Sequence, residues 1–393
     1  MGEQQDPEKK EFLEKRSKGT SFEPDLIWEV LSRLPSKSIV QSRCVSKLCS
    51  SITTQPGFIR SFAARSSESP CLLILFKDKG NMFVFSLPQQ QKHNLNSNNH
   101  VAVVDSYSMP CPGKYHFLSS ESVHGLICVE EPSGNPQVWN PTTRRFSTLP
   151  KPARRWGDDD RVSFVGYDPV DCTYKVLSMP CRRPRQPRAL TLGGGGEGGA
   201  RWRVIKGLPE HAPFRRGARC VNGVLYYLAA PTLDDHRDNQ FLVSFHVRSE
   251  KLSMMQVPWN LTRGLRQLLH CEGKLICVIS NGGDDIIMWT LEDAEKHKWS
   301  YKHLLLPFSR RDPVARTRFS LKGVNAAGEF IYVPSALVNP FHVIYFDPKA
   351  VSFRRVVVDG VADYQFRRQN GFGDYPLRTS NAFSNHVETL MSL

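Results

Sequence analysis

The sequence predicts an α+β multidomain chain: a small helical module over residues 21–66, then an all-β, propeller-like domain over residues 70–362. Three observations carry that prediction. Apolar residues recur at helical spacing between Ser21 and Phe62, punctuated by Pro24, Pro35 and Pro56. After about residue 70 the pattern changes to short apolar runs broken by Gly, Pro and Asn. Those runs then repeat at an interval near 50 residues.

The first helix is expected over Asp25–Leu34. At about 100° per residue, Leu26, Ile27, Val30, Leu31 and Leu34 fall within one wide arc, with Trp28 just outside it. Pro24 suits a first helical turn, because its missing N–H has no partner there anyway. Pro35 ends the helix, and Ser36 is expected to cap the next one. Ile39 and Val40 begin a shorter apolar patch, and Leu48 and Ile52 lie four apart on a third helix. About three short helices in about 40 residues rarely sustain a core alone. Periodicity leaves two readings open: the helices cap the downstream domain, or they complete a core with another protein's helices.

In the β region, "CLLILF", "DKGN" and "MFVFSLP" read as a hairpin. A two-part repeat follows. Its first part is a Gly and an apolar strand: "HGLICV", "NGVLYYLA", "EGKLICVI" and "AGEFIYVP". Its second part is a strand, a turn and a strand, as in "QVWNPTTRRFSTLP" and "HVIYFDPKAVSFRRVVV". The repeat glycines Gly125, Gly223, Gly273 and Gly328 are spaced by 98, 50 and 55 residues. The first interval is about two periods, and "FVGYDPVDCTYKVLSMP" with "ALTL" and "RWRVIKGLP" supplies the skipped unit. A period near 50 with four short strands is a kelch-like propeller signature, giving roughly six irregular blades. A two-sheet sandwich is the alternative. Residues 363–393 form a C-terminal extension expected to pack on or close the β domain.

Composition narrows the function. The chain has 393 residues, 40% of them hydrophobic, enough for a large domain with an accessory module. It has no run of about 18 apolar residues, so no membrane span is expected. Residues 1–20, "MGEQQDPEKKEFLEKRSKGT", lack a signal-peptide core and read as a disordered leader. Ten cysteines without CxxC or zinc-like spacing fit a reducing compartment, cytoplasm or nucleus. The net charge of +14 is spread in small groups at 153–155, 181–188 and 309–318. None lies on a DNA-reading motif, so solvated loops or an acidic protein partner are favoured over nucleic acid.

Chemical motifs are weak. Gly193, Gly195 and Gly198 formally spell GxGxxG, but "ARWRVIKGLP" after them reads as a strand, whereas a phosphate loop must open a helix. His124 lacks a locatable carboxylate partner and reads as structural. Asp158–Asp160 and Asp284–Asp285 lack calcium-loop spacing. No catalytic, cofactor or metal site is expected.

Two stretches resemble known families. "DLIWEVLSRLPSKSIVQSRCVSKLCSSI" followed by "PGF" resembles the F-box in its plant form. Asp25, Leu26, Glu29, Val30, Leu31, Arg33, Leu34, Pro35, Lys37, Ser38, Ile39, Arg43, Val45, Lys47, Pro56 and Phe58 match it. Glu23, Ser42 and Cys49 depart, standing where a proline, a Phe and a Trp are usual. The lost aromatic volume weakens the helical core by about a few kcal/mol unless Trp28 refills it. "HGLICV…VWNPTTRRFSTLP", "GYDPVDCTYKVLSM", "CVNGVLYYLA" and the closing "NHVETLMSL" are similar to the plant F-box-associated domain of type three. The resemblance implies a non-catalytic substrate receptor. Its F-box docks on a Skp-type adaptor, and through it a cullin scaffold, in an SCF-type ubiquitin ligase. The β domain holds a protein substrate, making ubiquitin transfer effectively intramolecular. The residues implied for adaptor contact are Leu26, Ile27, Val30, Leu31, Leu34, Pro35, Ile39 and Val45. Some belong to the module's own core, and periodicity does not sort them. The alternative is a basic propeller scaffold that binds nucleic acid or an acidic partner without a ligase.

Overall fold

The structure, a computed structural model, describes residues 24–89, 99–111, 121–130, 135–153, 161–181, 185–193, 201–214, 217–231, 240–259, 265–280, 282–312, 317–373 and 377–393. The expected leader, Asp158–Asp160, Gly195 and Gly198 lie outside them.

Four helices open the described chain: α1 (Pro24–Arg33), α2 (Ser36–Val45), α3 (Lys47–Thr53) and α4 (Pro56–Ser67). The sequence suggested three. Pro56 punctuates, but it does so as the first residue of a helix, where its fixed φ is favourable. Pro35 breaks α1 from α2 in an extended conformation. Ser36 does not cap α2; it is the helix's first residue, and its Oγ donates to Glu388 Oε1 at 2.6 Å. Ser46 is the true cap, of α3, its hydroxyl accepting from the Leu48 and Cys49 N–H groups.

The remaining chain forms six antiparallel sheets arranged as a propeller. Listed from the axis outwards, the first blade is Leu377–His386, Cys71–Asp78, Asn81–Pro88 and Asp105–Pro110. The second is Ser122–Val123, Leu126–Glu130, Pro136–Asn140 and Arg145–Thr148. The third is Arg161–Asp168, Thr173–Pro180, Arg188–Thr191 and Arg203–Val204. The fourth is Arg219–Val221, Val224–Ala230, Phe241–His246 and Leu252–Gln256, with Ala212–Pro213 pairing beside the first of these. The fifth is Leu265–Cys271, Lys274–Ser280, Asp285–Asp293 and Lys298–Leu305. The sixth is Thr317–Val324, Phe330–Pro334, His342–Asp347 and Ser352–Asp359, with His100–Ala102 added in parallel at its rim.

The repeat glycines sit in the turn between the first two strands of a blade. His124–Gly125, Asn222–Gly223 and Glu272–Gly273 all have positive φ at both positions, the two-residue turn whose twist matches a hairpin. The third blade lacks this glycine, which explains the long interval. There Asp168 accepts from the Val170 and Asp171 N–H groups, and Cys172 takes the left-handed conformation. Strands buried on both faces read as unbroken apolar runs, and cores form between neighbouring blades. Phe76 and Phe85 of the first blade, for example, share a cluster with Val343 and Val356 of the sixth.

The first blade closes the ring. Its innermost strand comes from the C-terminus and pairs antiparallel with Cys71–Asp78, in the register Leu73↔Phe383, Ile74↔Ala382 and Leu75↔Asn381. A short helix, α5 (Tyr364–Gln369), precedes that strand, and Phe366 packs on Phe76, Phe83 and Phe85.

Candidate functional site

The helical module has a small core. Leu31, Ile39, Ile52, Phe58 and Phe62, one or two from each helix, are buried together. Trp28 meets Phe58 edge to face at 5.0 Å and shares this cluster with Cys49, so an aromatic ring enters the core from α1 in place of one from α3. The sixth buried member is Leu390, three residues before Leu393 and fully inaccessible.

Residues 387–391 run between the two domains, and alternate residues serve opposite sides. Glu388 and Leu390 serve the helices. The Glu388 N–H donates to Ser66 Oγ at 2.7 Å, its carboxylate accepts from Ser36, and the Leu390 carbonyl accepts from Arg43 Nη2 at 3.2 Å. Arg43 also donates to the Thr53 carbonyl at 2.9 Å, so one guanidinium ties α2, the end of α3 and the tail together. Val387, Thr389 and Met391 serve the propeller. The Thr389 and Met391 carbonyls both accept from Asn140 Nδ2 at 3.0 Å, and the Thr389 N–H donates to Thr142 Oγ1 at 3.1 Å. A Cβ on Gly125 would stand 2.5 Å from the Val387 carbonyl, so only glycine fits beneath the tail. Where the tail begins, His386 is buried with Nδ1 2.7 Å from Ser122 Oγ, and burial pushes its pKa down to about 3.

The opposite side of the module is open. On α1, Leu26 and Val30 are 56% and 60% exposed and lie one turn apart. An exposed Glu29–Arg33 ion pair flanks them. Val45, at the end of α2, is 85% exposed, and Leu48 of α3 is also exposed. Of the eight residues implied for adaptor contact, Leu26, Val30, Pro35 and Val45 are exposed, and Ile27 and Leu34 are half-buried. Leu31 and Ile39 face inward, 4% and 0% exposed, within this chain's own core. The wide arc on α1 therefore divides into an inward part, Leu31, beside which Trp28 also enters the core, and an outward part, Leu26 and Val30.

A second feature lies on the propeller axis. A cavity of about 320 Å³ opens at the ends of the innermost strands, with residues from all six blades around it. Its polar wall includes Glu121, His124, Arg219, His270, Lys322 and Ser384. Arg219 Nε lies 3.5 Å from Glu121 Oε2, and the Cys220 N–H donates to the same carboxylate. Burial raises the Glu121 carboxyl to about 7 despite Arg219. The His124 ring lies tilted against that of Tyr167, centroids 4.0 Å apart, and among the described residues no carboxylate is hydrogen-bonded to it. Asp284 and Asp285 face protein groups: Asp284 accepts from the Arg310 N–H, and Asp285 lies against His303. Among the described residues no cluster of three His, Cys, Asp or Glu side chains could hold a metal ion.

The sequence marked the helices and missed the tail's part in them. The stretch "VETLM" pairs two polar with two apolar neighbours and carries no alternation that would have signalled it.

Comparison with known proteins agrees with this division. The F-box domain matches residues 22–61, and the F-box associated beta propeller domain matches residues 71–387. The Arabidopsis thaliana protein named "Putative F-box protein At1g47730" is 41% identical over 410 residues, covering all of both chains. "F-box protein At1g48060" of the same plant is 38% identical over 381 residues, covering 94% of this chain and 92% of its own. With both of its domains matched and relatives of about 40% identity over its whole length, this chain belongs to the F-box proteins with an associated β-propeller domain.

Proposed function

We propose that the chain is the substrate receptor of an SCF-type ubiquitin ligase, acting by position and not by catalysis. The helical module docks on a Skp-type adaptor through Leu26, Val30, Val45 and Pro35, with Ile27 and Leu34 at the edge of the contact. The propeller holds a protein substrate at a fixed place relative to that adaptor, which raises the effective concentration of its lysines at the transfer site.

One observation carries the reading. The module's core is already complete, yet Leu26, Val30 and Val45 remain in water beside it. Exposed apolar side chains on a helical bundle, outside its core, are what helix-in-groove docking uses.

The test is capture of the full chain by a purified plant Skp-type adaptor. The variant Leu26→Asp with Val30→Asp is expected to lose capture at least about 100-fold, since it places charge in an apolar contact. Its thermal unfolding should stay close to that of the original chain. Failure of the unaltered, folded chain to bind any such adaptor overturns the proposal.

A further inference from the structure

The axial cavity is not used by adaptor docking, and its chemistry is uneven. Among the described residues that line it, Glu121 is the only carboxylate, against Arg219, Lys322 and the imidazoles of His124 and His270. That carboxylate is engaged by Arg219 and by the Cys220 N–H. Arg219 is itself buried, and its Nη1 donates to the Ala218 carbonyl at 2.7 Å, which fixes the guanidinium in the wall. Apolar groups, Leu269 and Val324 among them, complete the lining. A volume of about 320 Å³ lies at the lower end of the range for small-molecule sites.

We propose that this axial cavity is an anion site, which takes a carboxylate or phosphate group between Lys322, Arg219 and the two histidines. The shared chemistry has two possible sources: a free organic acid or phosphate, and an acidic or phosphorylated side chain of a recruited protein. The ring geometry supports it, because strand ends from six blades converge there and bring in cations that lie far apart in sequence. Electrostatics agrees. Burial keeps both imidazoles below their ordinary pKa, with His270 acting on His124 and Arg219 acting on His270. Arg219 and Lys322 bring the positive charge to the wall, and burial raises the Glu121 carboxyl. An entering anion favours the charged form of both imidazoles.

The site is read on the full chain without adaptor, so its failure is separate from failure of the docking proposal. Calorimetric titration with citrate and with inorganic phosphate is expected to show one saturable site for at least one of them. Lys322→Gln should weaken it about tenfold or more, and Glu121→Gln should strengthen it. In the unaltered chain, the ring signals of His124 and His270 in NMR should report pKa values that rise when the probe is bound. This readout stands even if a variant fails to fold. A hexaglutamate peptide then separates the sources: competition with citrate points to a protein side chain, and citrate binding without competition points to a free small anion. No saturable binding of either probe overturns the proposal. So does binding that leaves both histidines unmoved.

Discussion

The two sides of the helical module make an instructive pair. Both carry apolar side chains, the one from all four helices and the other from α1, α2 and α3. One side is filled by Leu390 of the same chain, and its hydrogen bonds run through Ser36, Arg43 and Ser66. The other side presents Leu26, Val30 and Val45 to water. A tethered filler costs little entropy to position, whereas a separate partner must be ordered at each encounter. The module can therefore hold its shape alone and still offer a surface. The expectation that these helices form half of a shared interior needs restating: the interior is this chain's own, and the vacant face lies outside it.

Four variants break or sharpen that comparison. The largest effect is expected at the filled side. Leu390→Ala removes a fully buried side chain and should cost about 2–5 kcal/mol, read by urea unfolding. A cost below about 0.5 kcal/mol would mean the tail is not part of the core. Next is Gly125→Ala, which strains a residue at φ +89 and drives a methyl into Val387 and Thr389. It should cost about 1–3 kcal/mol in the same measurement, although it lies outside the helices.

Third is acid. His386 has a pKa near 3 when folded and an ordinary value of 6.5, so the unfolded chain binds the extra proton. Stability from this group is present above about pH 6.5 and falls by up to about 1.4 kcal/mol per pH unit below it. Unfolding midpoints for His386→Gln should decline less between about pH 6 and pH 4 than those of the original chain. An identical decline in both would assign the acid sensitivity elsewhere. The smallest effect is expected at the open side. Leu26→Ala should change stability by less than about 0.5 kcal/mol, because its side chain is mostly in water already. A larger loss would show that the open side is really core.

The propeller was legible because its repeat is local. Each Gly-plus-strand unit declares a turn needing positive φ and a strand buried on both faces, and Gly125, Gly223 and Gly273 behave accordingly. The third blade was found by its interval alone, since Asp168 and Cys172 build its turn without glycine. The helices were legible from period and proline. The division of α1 into inward Leu31 and outward Leu26 was not, because both are apolar and lie on one arc. What separates them is Leu390 and the propeller behind it, groups hundreds of residues away. The axial cavity was invisible for the same reason: Glu121, Arg219 and Lys322 meet only once the ring is closed.

The bond between Ser36 and Glu388 spans 352 residues, and it sets an order of events in the cell. At about 5–20 residues per second, the first helices leave the ribosome roughly 20–70 s before the residue that plugs them. Throughout that interval the nascent module lacks the side chain of Leu390, which completes its core. Loss of Leu390 would thus damage helices laid down hundreds of residues before it.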